Sequence, residues 1–203
     1  MGKTMKILLT AFDPFGGESV NPAEEAVKGV SAPAGVELTK LTVPTVYGKS
    51  IETVVAAMES ADYDAVLCIG QAGGRSDLTV ERVAINVNDA AAPDNAGVLL
   101  TDAPIAEDGP AAYFATLPVK AMVEGIRKVG IPASLSNTAG TFVCNQLLYG
   151  VLHSIAVAGK TTRAGFIHVP FIPAQVVDKA GKPSMALETI IRGIEAALAT
   201  IAE

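Results

Sequence analysis

The stretch TAGTFVCNQLLYG, residues 138–150, places one of the chain's two cysteines where a glycine-punctuated turn meets an apolar helical pattern. A thiol in that position can act as a nucleophile. Thr141 is a candidate N-cap, which puts Cys144 in the first helical turn. Unpaired backbone N–H groups and about half a unit of positive charge gather there. Both favour the thiolate, the reactive form, and the same N–H groups can hold an oxyanion. A second reading stands beside this one. Cys144, Leu148, Val151 and Ile155 recur at the spacing of a buried helical face, and free cysteine is a common core residue. The helix pattern alone leaves both open. Cys68, between Leu67 and Ile69 in an apolar run, reads as inert core.

A nucleophilic cysteine needs a base, and the chain has two histidines. His153 follows Cys144 on the same helical pattern. It falls on the opposite face, about 13 Å along the axis, and is expected at the surface. His168 ends the run GFIHV, just before Pro170. It is either a base at the end of a strand or a satisfied structural histidine. A third group should orient the imidazole. Glu81, in LTVERVAIN, is one candidate, although it also reads as an exposed charge beside Arg82. Asp94 competes, although Pro-Asp-Asn is equally an ordinary turn.

The elements that must position these residues alternate along the chain. Short β-branched or apolar-rich runs at 5–12, 36–43, 64–70, 131–137 and 165–169 predict strands. Helical patterns lie at about 22–30, 48–60, 117–129, 143–157 and 184–201. The alternation predicts an α/β fold: a single-domain three-layer α/β/α sandwich around a largely parallel, mixed, twisted sheet. Residues 71–112 break the pattern and predict a protruding irregular segment, with 83–87 and 98–100 as a hairpin. Ligands of open α/β sheets sit at the carboxyl ends of strands. A parallel sheet would bring FDPFGG, GQAGGR, Cys144 and His168 to one edge. Without internal repeats or linkers, residues 1–203 are expected to form one domain.

Composition removes several function classes. The 203 residues carry a formal net charge of −6, unlike a nucleic-acid binder with its basic stripe. Two cysteines and two histidines lack the spacing of a zinc site. Half of the residues are hydrophobic, yet no apolar run approaches the length of about 20 residues that spans a membrane. The N-terminal apolar run is short and leads into Asp-Pro and Gly-Gly, so it reads as a strand rather than a signal peptide. A cytoplasmic location is expected. GQAGGR raises a further alternative, a phosphate- or nucleoside-binding α/β protein. No helical pattern clearly follows it, and no Walker-type GK[ST] occurs.

Taken together, FDPFGG, VNP, VPTVY, GQAGGR, ERVAIN, PDN, GPAAY, TAGTFVCN and GFIHVP, in this order, resemble the pyroglutamyl peptidase I family across nearly the whole chain. The resemblance implies a cysteine exopeptidase that removes N-terminal pyroglutamate from peptides without a metal or organic cofactor. It implies Cys144 as nucleophile, His168 as general base and Glu81 as the orienting acid. It further implies Phe12, Phe15 and Phe142 as the wall around the lactam ring and Gln71 as its hydrogen-bonding partner. Asn21, Thr45 and Val143 are additional pocket candidates. Homo-oligomers, tetramers or dimers, are expected, with the apolar segment 86–100 as a contact surface. Two positions depart from the family. Ala91 stands where bacterial members often have arginine, which bears on pocket closure and on charge near the oxyanion. Val80 replaces the usual proline before the glutamate and is expected to loosen the loop carrying Glu81. A catalytically inactive homologue that binds peptide ends is the remaining alternative.

Overall fold

The computed structural model describes residues 4–203. Apolar runs without alternation become strands covered on both faces: β1 (Met5–Phe12), β3 (Ala65–Gln71) and β8 (Arg163–Val169). β2 (Val36–Val43) alternates exposed and half-buried residues, as suits its place at the sheet edge. These four strands run parallel, side by side in the order β2-β1-β3-β8. Beyond β8 lie β4 (Leu78–Glu81), antiparallel to it, and β7 (Ala133–Ser136), parallel to β4. The late strand β8 therefore separates β3 from β4.

Helices cover both faces. α1 (Pro22–Gly29), α3 (Val119–Lys128) and α5 (Leu187–Ala202) pack on the face that carries Ile7, Leu9, Leu67 and Ile69. α2 (Lys49–Ser60) and α4 (Val143–Val157) pack on the face that carries Leu8, Val66 and Phe166. The expected α/β/α architecture is present. Local signals set α1: Asn21 caps it by accepting from the Ala23 N–H, Pro22 opens it, and Glu24 and Glu25 occupy the first turn.

The irregular segment differs from expectation. Its start is no protrusion, because β4 lies inside the main sheet with every residue buried. Four residues next to a glycine-rich turn are too few to show a period in sequence. Val80 sits within this strand, opposite Ile167 and Leu135, so Glu81 is carried by a strand rather than a loosened loop. The hairpin partner also differs. β5 (Val83–Ile85) pairs antiparallel with β6 (Ala112–Phe114), not with 98–100. Asp94 keeps 94–98 as a turn, its carboxylate accepting from the Ala96 and Val98 N–H groups. Asn145 of α4 fastens the other end, bonding both the N–H and the carbonyl of Ile85.

The single-edge expectation needs one correction. β7 runs against β8, so Ser136 ends level with Glu81 and Phe166 rather than beside the end of β8. Residues 137–142 then carry the chain to the start of α4. Gly140, at φ 77°, makes that turn in the left-handed region open to glycine.

Candidate active site

His168 is the penultimate residue of β8 and is 4% exposed. Its Nδ1 lies 2.7 Å from Oε1 of Glu81, the last residue of β4, which is wholly buried. The pairing follows from register: Thr79 is opposite His168 and Glu81 opposite Phe166 on antiparallel strands. A carboxylate accepting from Nδ1–H fixes the imidazole tautomer and leaves Nε2 as the basic nitrogen. The same Oε1 accepts from Nη1 of Arg75 at 2.6 Å.

Cys144 is the second residue of α4 and is half-buried. Phe142 occupies the N-cap position and its side chain makes no capping bond. Thr141, expected as the cap, instead donates its hydroxyl to the Asp89 carbonyl. The first-turn N–H groups, including that of Cys144, keep no intrahelical acceptor. Gly70 on β3 leaves room for the thiol. A methyl there would come within 3.0 Å of the Cys144 sulfur and 2.7 Å of the Phe166 ring. The expected buried face of the helix is present as well, since Leu148, Val151 and Ile155 are core residues.

Cys144 and His168 line one pocket of about 370 Å³ with Phe15, Gln71, Arg75 and Phe142. Phe171 closes another side, and Gly73 makes way for its ring. Sequence reading weighs Arg75 only as part of the anion-binding alternative GQAGGR, and it does not single out Phe171. The signal for Phe171 is its place beside proline, directly after the His168 strand; nothing local pairs Arg75 with Glu81. A second, apolar hollow of about 430 Å³ lies across the Phe15–Phe142 wall and is lined by 90–93, including Ala91.

The other expected pocket residues divide into two groups. Phe15 and Phe142 face each other at 6.4 Å between ring centres, and Tyr47 meets Phe142 edge-on. Gln71, at the end of β3, accepts from Gln175 through Oε1, which leaves its amide N–H₂ free to donate. Phe12 is buried under the pocket against Phe166, and Val143 is buried in the core at the helix start. Neither Asn21 nor Thr45 lines the pocket. Their side chains both donate to the Asp13 carbonyl and hold the loop that presents Phe15.

Residues weighed as partners fall elsewhere. The Asp94 carboxylate is taken up by the Tyr47, Ala96 and Val98 N–H groups. His153 is not a free surface residue: its Nδ1 lies 3.0 Å from the Tyr113 hydroxyl, and its ring stacks on Tyr149. GQAGGR leads into a strand rather than a helix, and its arginine turns to Glu81. Among the described residues, no three of His, Cys, Asp and Glu cluster as a metal site would require.

Burial lowers the proton affinity of His168. Glu81 opposes the shift, Arg75 adds to it, and the net direction is down from 6.5. Burial by itself would raise Glu81, but hydrogen bonding and charge from His168, with Ser136 and Arg75, bring it below 4.5. Burial, then the Glu81 charge, pushes the Cys144 thiol up to about 12, outweighing Arg75 and its own N–H. The expected preference for thiolate at the helix start is overcome by desolvation. The resting groups are thus a thiol, a neutral imidazole and a carboxylate. Iodoacetamide is expected to modify Cys144 slowly at neutral pH, about tenfold faster per unit as pH rises, with no plateau below about pH 9. A plateau at neutral pH would instead show a preformed thiolate. Cys68, buried and likewise pushed up to about 12, should stay unmodified until the chain unfolds.

A thiol at a helix start, sharing a pocket with an imidazole held by a buried carboxylate, is the equipment of a thiol hydrolase. The chain belongs to the pyroglutamyl peptidase family, whose profile matches residues 5–203. It is 54% identical over 200 residues to a pyrrolidone-carboxylate peptidase of Streptococcus suis, covering 98% of this chain and 93% of the relative. A Thermoanaerobacter pyrrolidone-carboxylate peptidase is 52% identical over 200 residues, covering 98% of each chain. Among solved structures, pyroglutamyl peptidase I of Bacillus amyloliquefaciens superposes with a TM-score of 0.93 at 46% identity, over 98% of both chains. A mutant pyrrolidone carboxyl peptidase of Pyrococcus furiosus gives 0.93 at 38% identity, also over 98% of both chains.

Proposed function

We propose that this chain hydrolyses the bond after an N-terminal pyroglutamyl residue of peptides, with Cys144 as nucleophile, His168 as general base and Glu81 as the acid that orients the imidazole. The observation that carries the assignment is the 2.7 Å contact of His168 Nδ1 with buried Glu81, in the pocket that also contains Cys144. Nε2 of His168 takes the thiol proton as sulfur attacks the pyroglutamyl carbonyl. The developing imidazolium is stabilised by Glu81, and the oxyanion by first-turn N–H groups of α4. His168 then gives its proton to the leaving amine, and water, activated by the same imidazole, hydrolyses the acyl-enzyme.

The lactam is uncharged, small and flat, which suits the Phe15–Phe142 wall. In this reading the amide N–H₂ of Gln71, whose Oε1 accepts from Gln175, donates to the ring carbonyl. Asn21 and Thr45 serve the pocket from behind through the Asp13 loop, while Phe12 and Val143 support its floor. Residues 1–203 act as one catalytic domain. We further propose a cytoplasmic homo-oligomer, a tetramer or dimer, with 86–100 at the contact, where Val98 and Leu99 are exposed apolar side chains. Among the described residues, no helix is long and apolar enough to cross a membrane.

The test is fluorophore release from a pyroglutamyl-amide beside the matching prolyl-amide. Cleavage of the pyroglutamyl compound is expected, with the prolyl compound left intact, because it lacks the oxo group that pairs with Gln71. Gln71→Leu should lower kcat/KM for the pyroglutamyl substrate by about 10²-fold. Failure of the folded wild type to cleave either compound would leave the inactive peptide-end binder as the reading.

A further inference from the structure

Arg75 meets three acceptors on two segments of the site, strand β4 and the turn before α4. Its Nη1 donates to Glu81 Oε1 at 2.6 Å and also to Thr79 Oγ1, while Nη2 reaches the Thr138 carbonyl at 3.3 Å. Thr79 is the register partner of His168, and Thr138 opens the turn that leads through Gly140 to Cys144. One guanidinium therefore ties together the acid, the strand beside the base and the approach to the nucleophile. Its side chain remains 29% exposed at the pocket wall, whereas Glu81 is wholly buried. A planar fork of donors suits three acceptors in different directions, which an ammonium on a flexible stem does not match.

We propose that Arg75 is a positioning residue of the catalytic centre: its guanidinium pins Glu81 and the 138–142 turn in one arrangement and offsets the acid's charge at the imidazole. The inference rests on the assignment of His168 and Glu81 as base and acid. The titratable groups that face His168 are Glu81 from β4, Arg75 from the turn before it and Cys144 from α4; its register partner on β3 is Gly70. With the positive charge gone, Glu81 acts on the imidazole unopposed and the pair binds a proton more tightly.

The experiment is the pH profile of kcat/KM on a pyroglutamyl-amide for wild type, Arg75→Met and Arg75→Lys, with the His168 ring titration followed by NMR in each. Arg75→Met should move the acid limb and the ring titration upward by about one pH unit. Its kcat should fall by about 10- to 100-fold. Arg75→Lys keeps the charge and loses the fork, so its acid limb should stay within about 0.3 unit of wild type while kcat falls by about tenfold. If Arg75→Met leaves both the limb and the ring titration where they are in wild type, the proposal is overturned, whatever happens to stability. Should Arg75→Met not fold, Arg75→Lys decides: an unchanged kcat would overturn the pinning. If the wild type has no activity, the functional assignment fails, and the NMR titration still tests the effect of Arg75 on His168.

Discussion

Cys144→Ser lowers kcat/KM on a pyroglutamyl-amide by about 10⁴-fold or more, with the unfolding free energy held within about 1 kcal/mol of wild type. The size of the effect follows from the proposed chemistry. A serine hydroxyl is a far weaker nucleophile than sulfur and holds its proton more tightly. The small effect on stability follows from position. The side chain is half-buried at the second residue of α4, and the packing of that helix rests on Leu147, Leu148 and Val151, which the substitution leaves untouched. Steady-state kinetics with urea unfolding checks both halves. A serine variant retaining a tenth of the activity would remove Cys144 from the role of nucleophile.

Glu81→Ala has the second-largest effect, and it strikes both activity and stability. Without the carboxylate, nothing fixes the imidazole tautomer, and no charge stabilises the imidazolium formed when His168 takes the thiol proton. A loss of about 10³-fold in kcat is expected. Arg75 loses its ion-pair partner in a largely buried setting. Breaking such a pair costs about 3 kcal/mol, the lower bound because Arg75 reaches solvent over 29% of its side chain. Glu81→Gln keeps the shape and should retain more stability than alanine while losing comparable activity. The acid dependence of stability separates the variants from wild type. Glu81 is held below its ordinary value, so its contribution is present above pH 4.5 and is lost as pH falls through the lowered folded value. His168 is also lowered, so it adds to the same loss on the acid side, beginning below pH 6.5. In Glu81→Gln the carboxylate's share of this acid destabilisation should disappear. Urea unfolding between about pH 3 and pH 7 measures it, and an unchanged profile would show that Glu81 contributes no such share.

Much of this arrangement is legible in sequence because it is periodic or local. β1 follows from an apolar run, β2 from alternation, and α4 from a clear helical face whose start places Cys144 in its first turn. What escapes is set by distant partners. β4 is only four residues long and owes its place in the sheet to β8 and β7 on either side, not to any pattern of its own. β5 finds its partner at 112–114 because Asp94 folds the nearer segment into a turn. Arg75 gives no sign that it will point inward, since its acceptors lie on Thr79, Glu81 and Thr138. Glu81 itself reads as a solvated charge until the strand beneath it is known. Family resemblance implied the roles of Cys144, His168 and Glu81; the fold gives the physical reason they can meet.

The insertion of β8 between β3 and β4 has a consequence for how the molecule comes into being. A growing chain makes β3 and β4 almost in succession, yet they must not pair with each other. The strand that belongs between them is made only after α4. Until then the slot between β3 and β4 is unfilled, and each of these strands has an edge of unpaired backbone N–H and C=O groups. The same late strand carries His168, which bonds to Glu81 across 87 positions of chain. Closing such a separation is slow compared with forming local helices. The step that fills the slot also brings His168 to Glu81, so the mechanism proposed above requires the completed sheet.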